Sequence, residues 1–389
     1  MSSSSSGFIL RLSAFYAASF ALIGVLMPFF PLWLAAKGLD AATIGIVLAA
    51  PAFVRIGAVP FFTRMADRHG ALREGLMAAS LAAAAFYVAI GFADGAVAIL
   101  IIAIIAAIAQ SPIVALADAL ALRGLRVHRG SYGGIRLWGS LAFIAANLGA
   151  GLLLDFIAPE HLILVIAAAA IATALVGFFL VAPQGVPGIN RGEQPHARLW
   201  RNPAFLAVIA GAGTIQASHA LYYAFTSIHW QSAGFDGFSI GLLWAIGVLA
   251  EIVLFALSRR FPPRLSQHVL LLIGASGGAI RWLVMAFDPP GWSLPLLQCL
   301  HAASFGCTHL GLIGYIARHA PERYAATAQG HYVVASGVSL GVATALAGFL
   351  YERYAGAGYA GMALIALFGG LIVLLARAAW PQAFRTDDA

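Results

Sequence analysis

Long uncharged hydrophobic runs fill most of the chain, and short clusters of glycine, proline and charged residues separate them. Residues 12–36, 202–235, 289–317 and 324–351 contain no Asp, Glu, Lys or Arg. Each run exceeds the ~20 apolar residues that a helix needs to cross a bilayer. These runs and the clusters between them predict an all-α membrane protein with twelve transmembrane helices. We call them the first to twelfth spans, and they are 9–36, 41–63, 75–93, 96–122, 131–154, 161–182, 203–231, 239–258, 267–287, 292–317, 326–351 and 359–380.

The composition favours the same class of protein. Hydrophobic residues make up 61% of the chain and charged residues 10%, whereas a soluble domain carries about 25% charged residues. So few charges could not cover a water-exposed surface. Cys299 and Cys307 lie eight residues apart in one apolar run. Because helical geometry cannot close a disulfide over that separation, we expect buried free thiols and no metal site.

When each basic residue is assigned to one side of the membrane from the predicted spans, the two sides receive very different numbers. Seventeen of the 22 fall on one side, whereas Lys37 and Arg353 fall on the other. This asymmetry is the positive-inside signature, and it places both termini in the cytoplasm. The pI near 9.7 therefore reflects topology, and we expect no nucleic-acid partner. The seventeen are Arg11, Arg64, Arg68, Arg73, Arg123, Arg126, Arg129, Arg191, Arg198, Arg201, Arg259, Arg260, Arg264, Arg318, Arg323, Arg377 and Arg385.

The longest polar connection, residues 183–202, is rich in Gly, Pro and Arg. It predicts a cytoplasmic linker between an N-terminal six-helix half (1–182) and a C-terminal six-helix half (203–389). Two six-helix halves around a site at the membrane midplane are the layout of the major facilitator fold, which works by alternating access. We therefore predict that fold.

The loop after the second span resembles the loop motif of facilitator proteins. Asp67, Arg68, Gly70 and Arg73 stand at the motif positions, whereas Thr63 replaces the usual leading glycine. We interpret this group as a gating loop in which Asp67 is an interface latch that times opening. The alternative is a solvated turn.

Five formal charges lie within the predicted spans: Arg55, Asp118, Arg136, Glu251 and Arg281. Each costs at least about 2.5–3.5 kcal/mol at a helix centre unless it faces a partner or water. Five together require a polar interior, which favours a transporter over a passive bundle. Asp118 and Arg136 flank the loop between the fourth and fifth spans at similar depth. We expect them to pair, either as a structural ion pair or as part of the substrate site.

Histidines and aromatic residues accompany the charges of the C-terminal half. His301, Phe305 and His309 recur every four residues along one side of the tenth span, and Arg281 is roughly level with His301. Glu251 lies somewhat deeper. The alternatives are a structural role for Glu251 and Arg281, and a satisfied core histidine at His309. Further polar and aromatic positions are Trp244 on the eighth span and His219, Tyr222, Tyr223 and Thr226 on the seventh.

Three motifs resemble the 3-phenylpropionic acid transporter branch of the major facilitator superfamily: GIRLWGS at 134–140, HALYYAF at 219–225 and LLWAIGVLAE at 242–251. The similarity runs through nearly the whole chain. The branch is itself similar to lactose permease, a sugar–proton symporter. By helix and by spacing, functional residues of that permease correspond to Asp118, Arg136, Glu251, Arg281 and His301.

Two departures from lactose permease bear on the proton and on the substrate. The permease has a carboxylate important for proton coupling one turn beyond its histidine, where this chain has Ser304. It also has a tryptophan that stacks on the sugar, where this chain has Phe143. We therefore favour Glu251 as the proton carrier, tuned by Arg281 and His301, and a substrate other than lactose.

An aromatic carboxylate needs one cation and one flat apolar surface. Arg136 or Arg281 can supply the cation through a bidentate contact. We predict proton-coupled uptake of an aromatic carboxylate such as 3-phenylpropionate by a monomer in the cell inner (plasma) membrane, with the substrate, protons and the lipid bilayer as partners. The expected substrate site comprises Asp118, Arg136, Trp138, Phe143, His219, Tyr222, Tyr223 and Trp244.

Other functions stay open on the sequence. A proton symporter for a sugar or a nucleoside shares the charge constellation, and drug efflux is a third reading. A membrane sensor needs a soluble output domain, but no loop exceeds roughly 20 residues. We expect neither an enzyme nor a cofactor, because the chain shows no nucleophile constellation and no cofactor-binding loop.

Overall fold

The computed structural model describes residues 3–128, 130–182, 202–261, 265–319 and 325–380. Within these ranges the protein is all-helical and contains no strand. Eleven of its helical stretches are long and apolar enough to cross a membrane. The predicted class, an all-α membrane protein with many crossings, is confirmed.

The helices begin and end within a few residues of the predicted spans. Their bounds are α1 Ser3–Ala36, α2 Ala41–His69, α3 Leu72–Gly91, α4 Ala96–Gln110, α5 Ile113–Gly124, α6 Tyr132–Leu154, α7 Leu162–Gly177, α8 Pro203–Ala217, α9 Ala220–Ser232, α10 Gly237–Leu257, α11 Gln267–Met285, α12 Leu294–Cys299, α13 Thr308–His319, α14 Ala325–Tyr354 and α15 Tyr359–Ala379.

Capping residues define where several of the helices begin. Asp40 accepts a hydrogen bond from the Thr43 N–H at 2.7 Å at the start of α2, which holds the pKa of its carboxyl below the usual range. Ser131 caps α6 in the same way, through the Gly134 N–H at 3.1 Å. Asn202 caps α8. Such side chains satisfy backbone donors that the first turn of a helix leaves unpaired.

Three apolar stretches that were each predicted as one span contain an internal break. Ser111 and Pro112 separate α4 from α5, and proline cannot donate the backbone hydrogen bond that would continue the helix. Ser218 and His219 separate α8 from α9. A π-helical segment, Ala302–Cys307, separates α12 from α13. Hydropathy alone does not reveal these breaks.

The last apolar stretch, Ala328–Ala379, is 52 residues long. At about 1.5 Å per residue it is long enough to cross a ~30 Å bilayer twice. A 3₁₀ turn at Ala355–Gly358 divides it into α14 and α15, and Ala355 has a positive φ of 45°. The eleventh and twelfth predicted spans both lie in this stretch.

The chain forms two compact units, and helices α9 and α10 contribute to both. The first unit contains Met1–Asn190 and Thr226–Ala245, and the second contains Arg191–Phe225 and Ile246–Ala389. In the first unit α1 packs against α6 and α7, and in the second α8 packs against α14 and α15. The core of the second unit includes Phe205, Ile215 and Leu312.

Several predicted features fall wholly or partly outside the described residues. These include nearly all of the linker at 183–202, so the division into halves 1–182 and 203–389 stays a prediction. The same holds for the orientation of the termini, since Arg129, Arg191, Arg198, Arg201, Arg264, Arg323 and Arg385 are not described. Both cysteines are free; Cys307 is buried as expected, but Cys299 is exposed, so its predicted burial is wrong.

Candidate functional site

In the first unit, Asp118 on α5 is held by two tyrosine hydroxyls. Its Oδ1 accepts a hydrogen bond from Tyr132 at 2.9 Å and a second one from Tyr16 on α1. Tyr16 is almost fully buried. Because a partly buried carboxylate needs donors to offset its lost hydration, these phenols account for the tolerance of Asp118 inside a span.

Arg136 lies one turn beyond Tyr132 on α6, and its guanidinium covers aromatic rings. The guanidinium carbon lies 4.3 Å from the ring centre of Phe20 and 5.6 Å from that of Tyr16. Its Nη1 is buried without a hydrogen-bond partner among the described residues. Asp118 and Arg136 form no direct ion pair. The predicted direct pairing is therefore wrong, because Tyr16 stands between them, binding the acid through its hydroxyl and the cation through its ring.

Two aromatic residues of α6 that were predicted to bind substrate are placed very differently. Phe143 lies two turns from Arg136 on the same side of the helix and is buried. Trp138 is two positions from Arg136, about 200° around the helix at 100° per residue. Its side chain is 57% exposed. The structure does not bring Trp138 to the Asp118–Arg136 group.

Arg281 on α11 is the centre of the polar group in the second unit. Its side chain is fully buried. Its Nη2 donates to Gln298 Oε1 at 2.5 Å, and its Nη1 lies 3.1 Å from His301 Nδ1. The guanidinium carbon lies 4.4 Å from the ring centre of Tyr222 and 4.5 Å from that of Trp282. Within the described residues, the groups contacting this cation are neutral hydrogen-bond acceptors and aromatic rings.

His301 connects Arg281 to Glu251 on α10. A guanidinium can only donate hydrogen bonds, so His301 Nδ1 accepts from it and the ring proton is on Nε2. That Nε2 lies 3.6 Å from Glu251 Oε2. The Glu251 side chain is 21% exposed, compared with 9% for His301. The structure thus brings together the three residues predicted for proton coupling, and their role stays a prediction.

His219, at the break between α8 and α9, pairs with Ser304. Its Nδ1 lies 3.1 Å from the Gln216 carbonyl oxygen, which can only accept, so Nδ1 carries the proton. Its Nε2 therefore accepts from the Ser304 hydroxyl at 3.0 Å. The His219 ring stacks on Tyr223, with centres 5.6 Å apart. Its edge meets His301 at 5.4 Å. The residue that stands where lactose permease has a carboxylate is thus a partner of histidine.

The π-helical segment positions the row of rings on α12–α13. The rings of His301 and Phe305 stack at 5.2 Å, and those of Phe305 and His309 at 6.2 Å, which confirms the predicted row. The Ser304 carbonyl accepts from the Thr308 hydroxyl at 2.7 Å. A Cβ atom at Gly274 on α11 would lie 2.0 Å from that hydroxyl oxygen. Glycine at 274 therefore makes room for the distorted helix.

Trp244 lies in the part of α10 that belongs to the first unit. Its Nε1 donates to the Ser227 hydroxyl at 3.1 Å, and the ring is buried. The structure therefore pairs Trp244 with the C-terminal part of α9, which also belongs to the first unit.

The predicted gating loop is anchored within the first unit. Asp67 Oδ1 lies 2.7 Å from Arg123 Nη2 at the end of α5. Arg73 donates from Nε to the Leu180 carbonyl at 2.5 Å and from Nη2 to the Phe178 carbonyl at 3.2 Å. Gly70 has a φ of 65° and ends α2. These contacts involve the ends of α2, α5 and α7 and the start of α3, while Arg68 and the intramembrane charge Arg55 lie on exposed faces of α2.

Three neutral residues that bind the charged ones were not identified from the sequence: Tyr16 and Tyr132 bind Asp118, and Gln298 binds Arg281. Gln298 precedes His301 by three positions, and Tyr132 precedes Arg136 by four, so each shares a helix face with a recognised residue. Tyr16 belongs to a distant helix and gave no such signal. The part of the chain that the structure describes holds no group of three or more His, Cys, Asp or Glu side chains suited to a metal ion.

Comparisons with known proteins agree with this architecture. The MFS_1 like family matches residues 9–360. A probable 3-phenylpropionic acid transporter of Escherichia coli (strain K12) is 34% identical over 365 residues, covering 90% of this chain and 93% of that protein. A maltose permease of Geobacillus stearothermophilus is 32% identical over 372 residues, covering 93% and 92%. The crystal structure of nucleoside transporter NupG superposes with a TM-score of 0.81 at 15% identity, covering 98% of this chain and 100% of that one.

The family match, the transporter relatives and the membrane-length helices show a multi-pass secondary transporter of the major facilitator type; the family and its relatives are transporters and not enzymes. The chain belongs to the MFS_1 like family. The resemblance predicted from the three sequence motifs is thereby confirmed.

Proposed function

We propose that the protein is a proton-coupled uptake carrier for an aromatic carboxylate such as 3-phenylpropionate, working by alternating access. It crosses the cell inner membrane twelve times as a monomer, with both termini in the cytoplasm. The twelve crossings require that α14 and α15 each span the bilayer, which the 52-residue apolar stretch and its central turn support.

The observation that carries this proposal is the environment of Arg281. A fully buried guanidinium is costly unless it is paired. Its contacts among the described residues are the Gln298 amide, the His301 ring, the Tyr222 hydroxyl and the rings of Tyr222 and Trp282, and none of these is a carboxylate. A ligand carboxylate would supply the missing negative charge. The rings of Tyr222 and Trp282 offer flat surfaces beside that charge, which suits an aromatic acid.

Glu251 is the proton carrier in this proposal. It contacts His301, and His301 contacts Arg281, so a proton on Glu251 changes the hydrogen bonding of the group that binds the substrate. A proton that neutralises Glu251 also reduces the negative charge beside the incoming carboxylate. Proton binding and substrate binding therefore support each other.

In the first unit, Arg136 is a second cation with a buried Nη1 that lacks a partner in the described part of the chain. Its guanidinium lies on the Phe20 ring. We assign this group, with Asp118 and Phe143, to substrate binding. Asp67, Arg68, Gly70 and Arg73 form the gating loop, in which the Asp67–Arg123 pair is the bond that opens.

A sugar symporter is the second candidate function. The maltose permease is 32% identical, and Asp118 with its two tyrosine hydroxyls is a hydrogen-bonding group that a sugar hydroxyl could join. This candidate explains Asp118 well, but it gives no reason for an uncompensated buried cation at Arg281.

Competition binding on the purified protein separates the two candidates. Labelled 3-phenylpropionate should be displaced by related aromatic acids and not by maltose or galactosides. Arg281→Gln should weaken binding at least ~30-fold, because a buried partner of the carboxylate is lost. Arg353→Gln, at an exposed position, is the matched control and should bind normally. Displacement by maltose alone would establish the sugar reading instead.

A further inference from the structure

We propose that Gln298, together with Nε of Arg281, forms a donor-only subsite that recognises the carboxylate of the substrate. This inference rests on the proposed function and adds to it a specificity-determining residue. Gln298 lies on α12, fully buried, three positions before His301.

Arg281 fixes which way the Gln298 amide points. Because a guanidinium has no acceptor, the atom 2.5 Å from its Nη2 must be the amide oxygen. The amide nitrogen then points to the other side. The chemistry of Arg281 therefore fixes the orientation of this amide.

Two buried donors remain unused after these contacts are made. Arg281 Nη1 and Nη2 are taken by His301 and Gln298, but Arg281 Nε has no partner among the described residues, and Gln298 Nε2 also has none. Leaving buried donors unpaired costs folding free energy. Two such donors on side chains that touch each other indicate that a ligand completes them.

The chemistry of the two donors selects the ligand group. Both are N–H donors, and one belongs to a cation. A carboxylate brings only acceptors and a negative charge, so it satisfies both donors and adds no donor of its own. A primary amide or a hydroxyl is neutral and brings at least one donor, whereas the one acceptor in these two side chains, Gln298 Oε1, is already engaged by Arg281 Nη2. The subsite therefore discriminates an acid from its amide.

Helix α10 packs closely against this subsite at Gly247. A Cβ atom at Gly247, one turn before Glu251, would contact His301 Cβ at 3.6 Å and the Gln298 carbonyl oxygen at 3.7 Å. The helix that carries the proposed proton carrier thus passes directly beside Gln298. Recognition of the carboxylate and binding of the proton occur in one connected group of side chains.

The test compares the affinities of 3-phenylpropionate and 3-phenylpropanamide on the full-length purified protein. We expect the wild type to prefer the acid. Gln298→Met removes the donor at similar volume, so affinity for the acid should fall about tenfold, while affinity for the amide should change little. Gln231→Met, at an exposed position, is the matched control and should keep the wild-type preference.

A second variant, Gln298→Glu, keeps the test valid if Gln298→Met does not fold. Gln298→Glu keeps an acceptor for Arg281 and neutralises its charge, so the protein should fold, as thermal unfolding will show, and should lose binding of the acid but not of the amide. An unchanged acid-to-amide ratio in either folded variant would overturn the role of Gln298 alone. A wild type that binds neither compound would overturn both this inference and the proposed function.

Discussion

At the scale of the residue, the protein handles its buried arginines in two ways. Arg136 lies on the rings of Phe20 and Tyr16, whereas Arg281 combines two rings with hydrogen bonds to Gln298 and His301. Depth along the helices was enough to predict that Glu251, Arg281 and His301 would meet. The depth of a residue in the membrane does not give the direction in which its side chain points around the helix, so the outward position of Trp138 could not be predicted. Depth also does not identify neutral partners, so the intervening Tyr16 and the role of Gln298 could not be predicted either.

The residue-scale prediction concerns Glu251. If Glu251 carries the proton, Glu251→Gln mimics its protonated form permanently. Proteoliposomes with this variant should lose accumulation driven by a proton gradient, yet exchange internal for external substrate within about twofold of the wild-type rate, because exchange needs no net proton movement. Glu160→Gln, at an exposed loop position, should behave like the wild type. Normal accumulation by Glu251→Gln would exclude it as the carrier.

At the scale of the element, α6 and α10 approach closely within the first unit. A Cβ atom at Gly151 would lie 2.4 Å from the Gly237 carbonyl oxygen. Asp155, at the end of α6, accepts hydrogen bonds from the backbone N–H groups of Gly237 at 2.5 Å and Phe238 at 3.1 Å. This carboxylate caps the start of α10, where a negative charge is favourable. Helix ends of this kind follow from local residue types, whereas the π-helical segment depends on α11 and could not be predicted.

The element-scale prediction compares two glycines on α6. Gly151→Ala places a methyl group against the α10 backbone, so it should lower the unfolding temperature and reduce transport at least ~tenfold, in keeping with the cost of overpacking. Gly149→Ala meets nothing within 4 Å and should leave both properties unchanged or slightly raise stability. Thermal unfolding and uptake in proteoliposomes measure the two effects. Equal behaviour of the two variants would show that the close approach is unimportant.

At the scale of the whole molecule, hydropathy predicted the membrane class, and the long polar connection between two sets of six spans predicted the facilitator fold, which the 0.81 TM-score supports. The substrate does not follow from the fold, because relatives named for phenylpropionate, maltose and nucleosides share it. It has to be argued from the site, and our proposal of an aromatic acid rests on the fully buried guanidinium of Arg281 and its aromatic neighbours.

The central claim is tested by uptake of labelled 3-phenylpropionate into proteoliposomes that are acidic outside and alkaline inside. Because the undissociated acid crosses lipid by itself, liposomes with Arg281→Gln provide the baseline. The account predicts an initial rate of concentrative uptake well above that baseline, abolished by a protonophore, with no comparable uptake of maltose. Uptake equal to the baseline, or maltose uptake driven by the same gradient, would contradict it.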